Sequence, residues 1–315
     1  MKIVVIGGSG HIGTFLVPRL VRAGHEVVNI SRGASTAYVD APEWQQVRAV
    51  VADRQQEDFG DRVVGLRPDV VVDLICYTLE SATALVDRLR GEVGHLLHCG
   101  SIWRYGPSHK LPITEDAGTP PFGDYGIAKD RIARMLKAET DLATTSLHPG
   151  HIVGPGWHPV GPLGNFDPAV WHTLSAGKPL AVPGIGAEHM HHVHADDVAQ
   201  AFELAISHRD AAAGEDFNVV APTSLNVRGY AEIAAGWFGQ AATLDFVSWE
   251  EFRRSTDPEH ADVSWGHLFR SQVCSIEKAT RLLGYAPRYE PEAAVLESLR
   301  WLITHDQLQL PHPLL

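Results

Sequence analysis

The chemistry this sequence could perform is concentrated first in Tyr125 and Lys129, four residues apart in Tyr125-Gly126-Ile127-Ala128-Lys129. On a helix that spacing puts both side chains on one face, within about 6 Å of each other. A free phenol, with a pKa of about 10, is a poor base at neutral pH. A neighbouring ammonium and an oxidised nicotinamide would favour its phenolate. Such a tyrosine can exchange a proton with a hydroxyl or carbonyl while a cofactor exchanges hydride. Ser101, in Cys99-Gly100-Ser101-Ile102-Trp103-Arg104-Tyr105-Gly106, could direct a hydroxyl at the same reacting oxygen.

A second constellation opens the chain. The run Gly7-Gly8-Ser9-Gly10-His11-Ile12-Gly13 follows an apolar stretch and precedes a helical pattern. Gly7 permits a tight turn, Gly10 lets backbone approach a pyrophosphate, and Gly13 lets helix and strand pack closely. Helix N-terminal amides and the positive dipole end favour the phosphates. Ser9, His11 and Ile12 lie in the same loop and join the three glycines as candidate dinucleotide contacts. The next apolar run ends Asn29-Ile30-Ser31-Arg32-Gly33, with no carboxylate to hold a ribose 2′-hydroxyl. Arg32 could clamp a 2′-phosphate with Ser31 or Ser35 adding hydroxyls, so NADP is expected over NAD. Asp53 is placed either to reach an adenine amino group or to cap the helix after it.

These residues need elements to hold them. Short Val- and Ile-rich runs at 2–6, 26–30, 47–51, 69–74, 94–99 and 144–148 read as buried parallel strands. Between them, Ile12, Phe15, Leu16, Leu20 and Ala23 follow helical spacing, as do Ala82, Leu85, Val86 and Leu89, and Ala128, Ile132, Met135 and Leu136. Alternating strands and helices predict an α/β fold, a doubly wound parallel sheet of Rossmann type. After residue 150 the pattern loosens. Helices are expected near 168–177, 196–208, 227–238, 277–283 and 291–304, and a strand over 217–220. The expected division is a dinucleotide-binding domain at 1–150 plus about 190–220. A smaller discontinuous C-terminal substrate lobe would comprise about 151–189 and 221–315.

Composition narrows the function. The 315 residues are 44% hydrophobic and 20% charged, enough for a substantial core and incompatible with intrinsic disorder. A net charge of −12 argues against nucleic acid as a partner. No apolar run is long enough to span a membrane, and the first one breaks too early for a secretory leader, so a cytoplasmic location is expected. Cys76, Cys99 and Cys274 are too few and too scattered for a disulfide framework or a zinc site. In His189-Met190-His191-His192-Val193-His194, alternate residues face opposite sides of an extended segment. At most two could converge, so no metal is expected and these histidines read as core or cleft-lining groups. Tyr77, Trp103, Arg104, His151 and Trp157 are the candidate substrate-pocket residues, with ordinary core packing the alternative for each aromatic.

Taken in order, these motifs resemble the extended short-chain dehydrogenase/reductase superfamily, particularly its NAD-dependent epimerase/dehydratase branch. Further echoes are Ile113-Thr114-Glu115-Asp116, the turn from Pro149 to Gly154-Pro155, His194-Ala195-Asp196-Asp197-Val198-Ala199 and Leu282-Leu283-Gly284-Tyr285. The resemblance implies Tyr125 as acid/base, Lys129 holding the nicotinamide ribose and depressing the tyrosine pKa, and Ser101 orienting substrate. It also implies a small-molecule substrate such as a sugar or sugar derivative, and a homodimer. Two departures stand out: His148 and Met190 occupy positions where the family often has arginine, the second gripping a substrate pyrophosphate. Arg228 or Arg270 would have to substitute. The expected enzyme is an NAD(P)-dependent epimerase or carbonyl reductase. Dehydration ranks last, because no acid follows Ser101. A non-catalytic dinucleotide sensor is the alternative of another class.

Overall fold

The computed structural model describes residues 1–117 and 119–315. Six strands, β1 (Lys2–Ile6), β2 (Glu26–Ser31), β3 (Arg48–Val51), β4 (Val70–Asp73), β5 (His95–Cys99) and β6 (Thr144–Pro149), join a seventh over Glu215–Val219. The order across the sheet is Glu215–Val219, β6, β5, β4, β1, β2, β3, with every pairing parallel. The strand runs expected from the sequence are therefore the strands of this sheet, within two residues at each end; six shorter strands of two to four residues, paired outside it, were not expected.

Period-two alternation sends Ile3, Val5, Val70 and Val72 to one face of the sheet, where α1 (Gly13–Arg22) and the helix Ala195–Ser207 pack. Val4, Ile6, Val28 and Val71 go to the other face, beneath α2 (Phe59–Gly65), α3 (Leu79–Leu89) and α4 (Asp124–Lys137). Strands buried on both faces explain why they read as unbroken apolar runs. Strand order reverses between β1 and β4, so the loops after their carboxyl ends diverge and leave a crevice between them. That crevice places the glycine loop beside Leu74–Tyr77.

A separate apolar core gathers Val153, Trp171, Leu174, Met190, Tyr230, Phe252, Leu268 and Leu299. It includes two helices that the apolar spacing did not reveal, Trp249–Ser255 and Pro258–Arg270. Both carry start signals: Ser248 and Glu251 form a capping box, and Asp257 caps the second with Pro258 in its first turn. Their stripes are blurred because Trp265 and Phe269 face outward, 45% and 48% exposed. Helix α2 was likewise unmarked by spacing. No helix among the described residues is long and apolar enough to cross a membrane.

Candidate active site

The glycine loop turns from β1 into α1 with Gly7 at φ 83°, and a Cβ there would lie 2.6 Å from the Ile75 side chain. At Gly13 a Cβ would sit 2.1 Å from the carbonyl oxygen of Gly8, so no other residue lets helix and loop close. Gly10 differs: its Cβ would meet only the Gly7 carbonyl, at 3.2 Å, and otherwise point into open space. Gly8 is also required, because a Cβ there would lie 2.7 Å from Asn29 Oδ1, a constraint the three-glycine spacing did not single out. No side chain caps α1 and its first turn has no acidic residue, which leaves the end amides and dipole open to an anion. The loop thus fits a dinucleotide pyrophosphate.

His11 is buried and its ring lies parallel to Trp157, with centroids 4.9 Å apart. Burial lowers its pKa to about 3, so it is neutral at physiological pH. On the other side of the loop, Ser9, Ser31 and Ser35 share a second cavity with Asn29 and Asp40. Ser31 Oγ accepts the amide of Gly33 at 3.2 Å. Arg32 is exposed beside this cavity in sequence but does not line it, whereas the Asp40 carboxylate does. Asp53 accepts the Gln55 amide at 3.0 Å and lines neither cavity. The helix after it starts at Phe59 with Asp58 at its N-cap, so Asp53 braces a turn and caps no helix.

Across the crevice, α4 begins at Gly123 (φ 72°), which bends the chain into the helix and puts Tyr125 in its first turn. Tyr125, Ser101 and Lys129 line one cavity of about 510 Å³ together with Gly7, Gly10 and Ile12. Lys129 is buried, and its Nζ donates to the carbonyls of Cys76 at 2.7 Å and Cys99 at 2.8 Å. An ammonium has three N–H groups, so one remains available. It sits 4.9 Å from the Tyr77 ring centre and 5.7 Å from that of Tyr125. Ser101 caps a 3-10 turn over Ile102–Arg104, its Oγ accepting the Trp103 amide at 3.2 Å.

One electrostatic expectation is corrected here. Partial desolvation in the cavity raises the Tyr125 phenol above its ordinary range even though the residue is 43% exposed, and the adjacent Ser101 hydroxyl offsets this only in part. Burial also lowers Lys129. In the protein alone, desolvation outweighs the ammonium, whose N–H groups are largely committed to carbonyls.

Tyr77, Trp103, Trp157 and His151 line the cavity. Arg104 does not. It is buried behind the sheet, donating to His148 Nε2 at 3.0 Å and to the Asp216 carboxylate, with Asp130 at 3.7 Å. The residue that replaces the family's arginine before Pro149, His148, therefore belongs to an internal ion cluster. Met190 is fully buried in the second core. Of the proposed substitutes, Arg228 is exposed and paired with Glu232 at 2.9 Å. Arg270 is buried between Trp103 and Phe122, 3.8 and 3.7 Å from their ring centres, and donates to the Phe122 carbonyl at 2.7 Å. The histidine run is hydrogen-bonded internally: His191 to Ala221 and Cys274, His192 to Val160. Among the described residues no three His, Cys, Asp or Glu side chains are grouped to hold a metal ion.

Several site residues had no local signal. Phe166 and His267 line the cavity from the later lobe. Gln272 Nε2 donates to the carbonyls of Ile102 at 3.1 Å, Tyr105 at 3.0 Å and Gly106 at 3.4 Å, anchoring the segment that carries Ser101. Below the cavity, Arg54 pairs with buried Asp73 at 2.6 Å.

The model of the NAD dependent epimerase/dehydratase family matches residues 3–220. The chain is 31% identical to 2′-dehydrokanamycin reductase of Streptomyces kanamyceticus over 205 residues, which is 64% of this chain and 56% of that protein. It is 26% identical to UDP-glucose 4-epimerase of Mycolicibacterium smegmatis, over 98% of this chain and 100% of that one. Among solved structures, UDP-glucose 4-epimerase of Thermotoga maritima with UDP-glucose superposes with a TM-score of 0.74 at 20% identity, covering 97% of this chain and 99% of that one.

Proposed function

The chain belongs to the NAD-dependent epimerase/dehydratase family, and from that premise we propose a division of labour at its active site. It is an NAD(P)-dependent oxidoreductase acting on a small-molecule hydroxyl or carbonyl. The observation that carries this reading is the single cavity shared by the pyrophosphate loop and by Ser101, Tyr125 and Lys129. The sheet part, 1–150 with about 190–220, holds the dinucleotide; the stretches 151–189 and 221–315 close over it and supply substrate walls.

When bound, the nicotinamide supplies or accepts hydride. Lys129, fixed by two carbonyls, presents its remaining N–H to the nicotinamide ribose. Ser101 orients the substrate oxygen, and the Tyr125 hydroxyl gives that oxygen a proton or takes one from it. A phenol, whose ordinary pKa is about 10, is protonated at neutral pH, so the Tyr125 hydroxyl stands ready as an acid. That favours carbonyl reduction, a reaction also named for the kanamycin-related relative. Alcohol oxidation needs the phenolate, so its rate rises as pH climbs, while the reductive rate falls through the same alkaline range. The decisive comparison is Tyr125→Phe. It should lower kcat by about 10²–10⁴-fold with the dinucleotide Kd unchanged; turnover equal to the parent enzyme would refute the assignment.

For the cofactor we favour NADP, with NAD as the family's shared capability. The reading is supported by the lack of a carboxylate at the end of β2, by Ser31 and Ser35 on the second cavity, and by Arg32 next to Ser31 in the sequence. Asp40, on that cavity, works against a 2′-phosphate. Arg32→Ala should weaken NADP binding at least tenfold more than NAD binding, as read by tryptophan fluorescence titration; equal losses would remove the phosphate clamp.

A further inference from the structure

We propose that the cavity is built for a small uncharged cyclic molecule bearing a hydroxyl or ketone, and excludes nucleoside diphosphate sugars. The inference deepens the oxidoreductase reading above and rests on it. Its first support is a continuous wall of rings that begins at the acid/base group. Tyr125 meets Trp103 edge-on at 5.9 Å, Trp103 meets His267 at 4.8 Å, and His267 in turn packs against His151 at 4.9 Å and Phe166 at 6.2 Å. Phe166 and Trp157 both line the cavity while 43% and 44% exposed, more apolar surface than an isolated side chain explains. Such faces suit the C–H surface of a saturated ring.

The second support is charge. Among the described residues lining the cavity, Lys129 is the one formally charged side chain, and two of its N–H groups are already committed. His11, His151 and His267 are held neutral by burial. The Arg270 guanidinium lies against the Trp103 ring, outside the cavity lining, with its Nη1 on the Gly266 carbonyl and Nη2 on that of Phe122. A substrate diphosphate drawn out of water needs charge-assisted donors, and this wall has none to give it. A neutral ring incurs no such cost.

The test uses the full chain at near-physiological ionic strength. UDP and UDP-glucose are titrated calorimetrically into protein saturated with NADP, and cyclohexanone and methyl ketohexopyranosides are assayed with separate protein by NADPH oxidation. We expect UDP-glucose to fill less than half the sites at about 1 mM, a standard free energy weaker than about 4 kcal/mol, and not to be turned over. At least one neutral ketone should be reduced, and Phe166→Ala should raise its KM about tenfold without changing the dinucleotide Kd. Half-saturation by UDP-glucose below about 1 mM, its turnover, failure of every neutral ketone, or an unchanged KM in Phe166→Ala would each overturn the proposal. Absence of dinucleotide binding would instead defeat the oxidoreductase reading itself.

Discussion

Lys129 has a structural task beside the chemical one proposed for it. Its ammonium joins the ends of β4 and β5 through the carbonyls of Cys76 and Cys99. Lys129→Met leaves both carbonyls unpaired in a buried place. The expected loss is about 1–3 kcal/mol of unfolding free energy per unsatisfied group, measured by denaturant titration, with weakened dinucleotide binding beside it. Unchanged dinucleotide affinity would remove the ribose from its role. Tyr125, Lys129 and Ser101 were legible because helical spacing and position after the fifth strand are local properties of the sequence. Arg104 was misread for a local reason too. On a 3-10 turn, successive residues point about 120° apart, so Trp103 faces the cavity while Arg104 turns back to Asp216. Phe166, His267 and Gln272 reach the site from far along the chain, and no local pattern encodes such contacts.

At the scale of elements, the loop between β1 and α1 separates two demands that the glycine spacing alone merges. Gly13 serves packing and Gly10 is proposed to serve the ligand, so their alanine variants should part company. Gly13→Ala forces a Cβ onto the Gly8 backbone and should prevent folding or lower Tm by more than about 2–4 °C, the shift that each kcal/mol lost brings in a domain of 150–250 residues. Gly10→Ala presses only on the Gly7 carbonyl, at 3.2 Å, which a small backbone shift relieves; it should lower Tm much less than Gly13→Ala while weakening dinucleotide binding at least tenfold. Calorimetry and fluorescence titration check the pair; a Gly10→Ala protein that binds normally would show that the loop does not approach the pyrophosphate. The strands were readable because both faces are buried, which leaves unbroken apolar runs. Helix α2, only seven residues long, gives periodicity little room to show. The two helices before Arg270 advertise their starts through caps, while their outward aromatic residues hide the stripe.

The whole molecule carries an unusual number of buried neutral histidines. Burial holds His11 at about 3 and His95, His148, His191, His192 and His267 at about 4. The sign follows from proton uptake. As pH falls below about 6.5 the unfolded chain binds protons that the folded chain refuses. Stability should therefore fall between roughly pH 6.5 and 4, by up to about 1.4 kcal/mol per pH unit for each such histidine. Denaturant titrations across that interval measure the slope; a flat profile would mean that these rings are solvated or already charged. None of this is visible in composition, since 18 histidines imply nothing until burial is known. The Gln272 amide has a different kind of consequence. It threads the distal part of the chain into the wall around Ser101, so the enzyme should resist dissection. A fragment cut before Pro258 would lose not only that brace but also Ala279, Leu283 and Tyr285, which are buried in the core of the parallel sheet, so neither half of the chain is a module that can be lifted out whole.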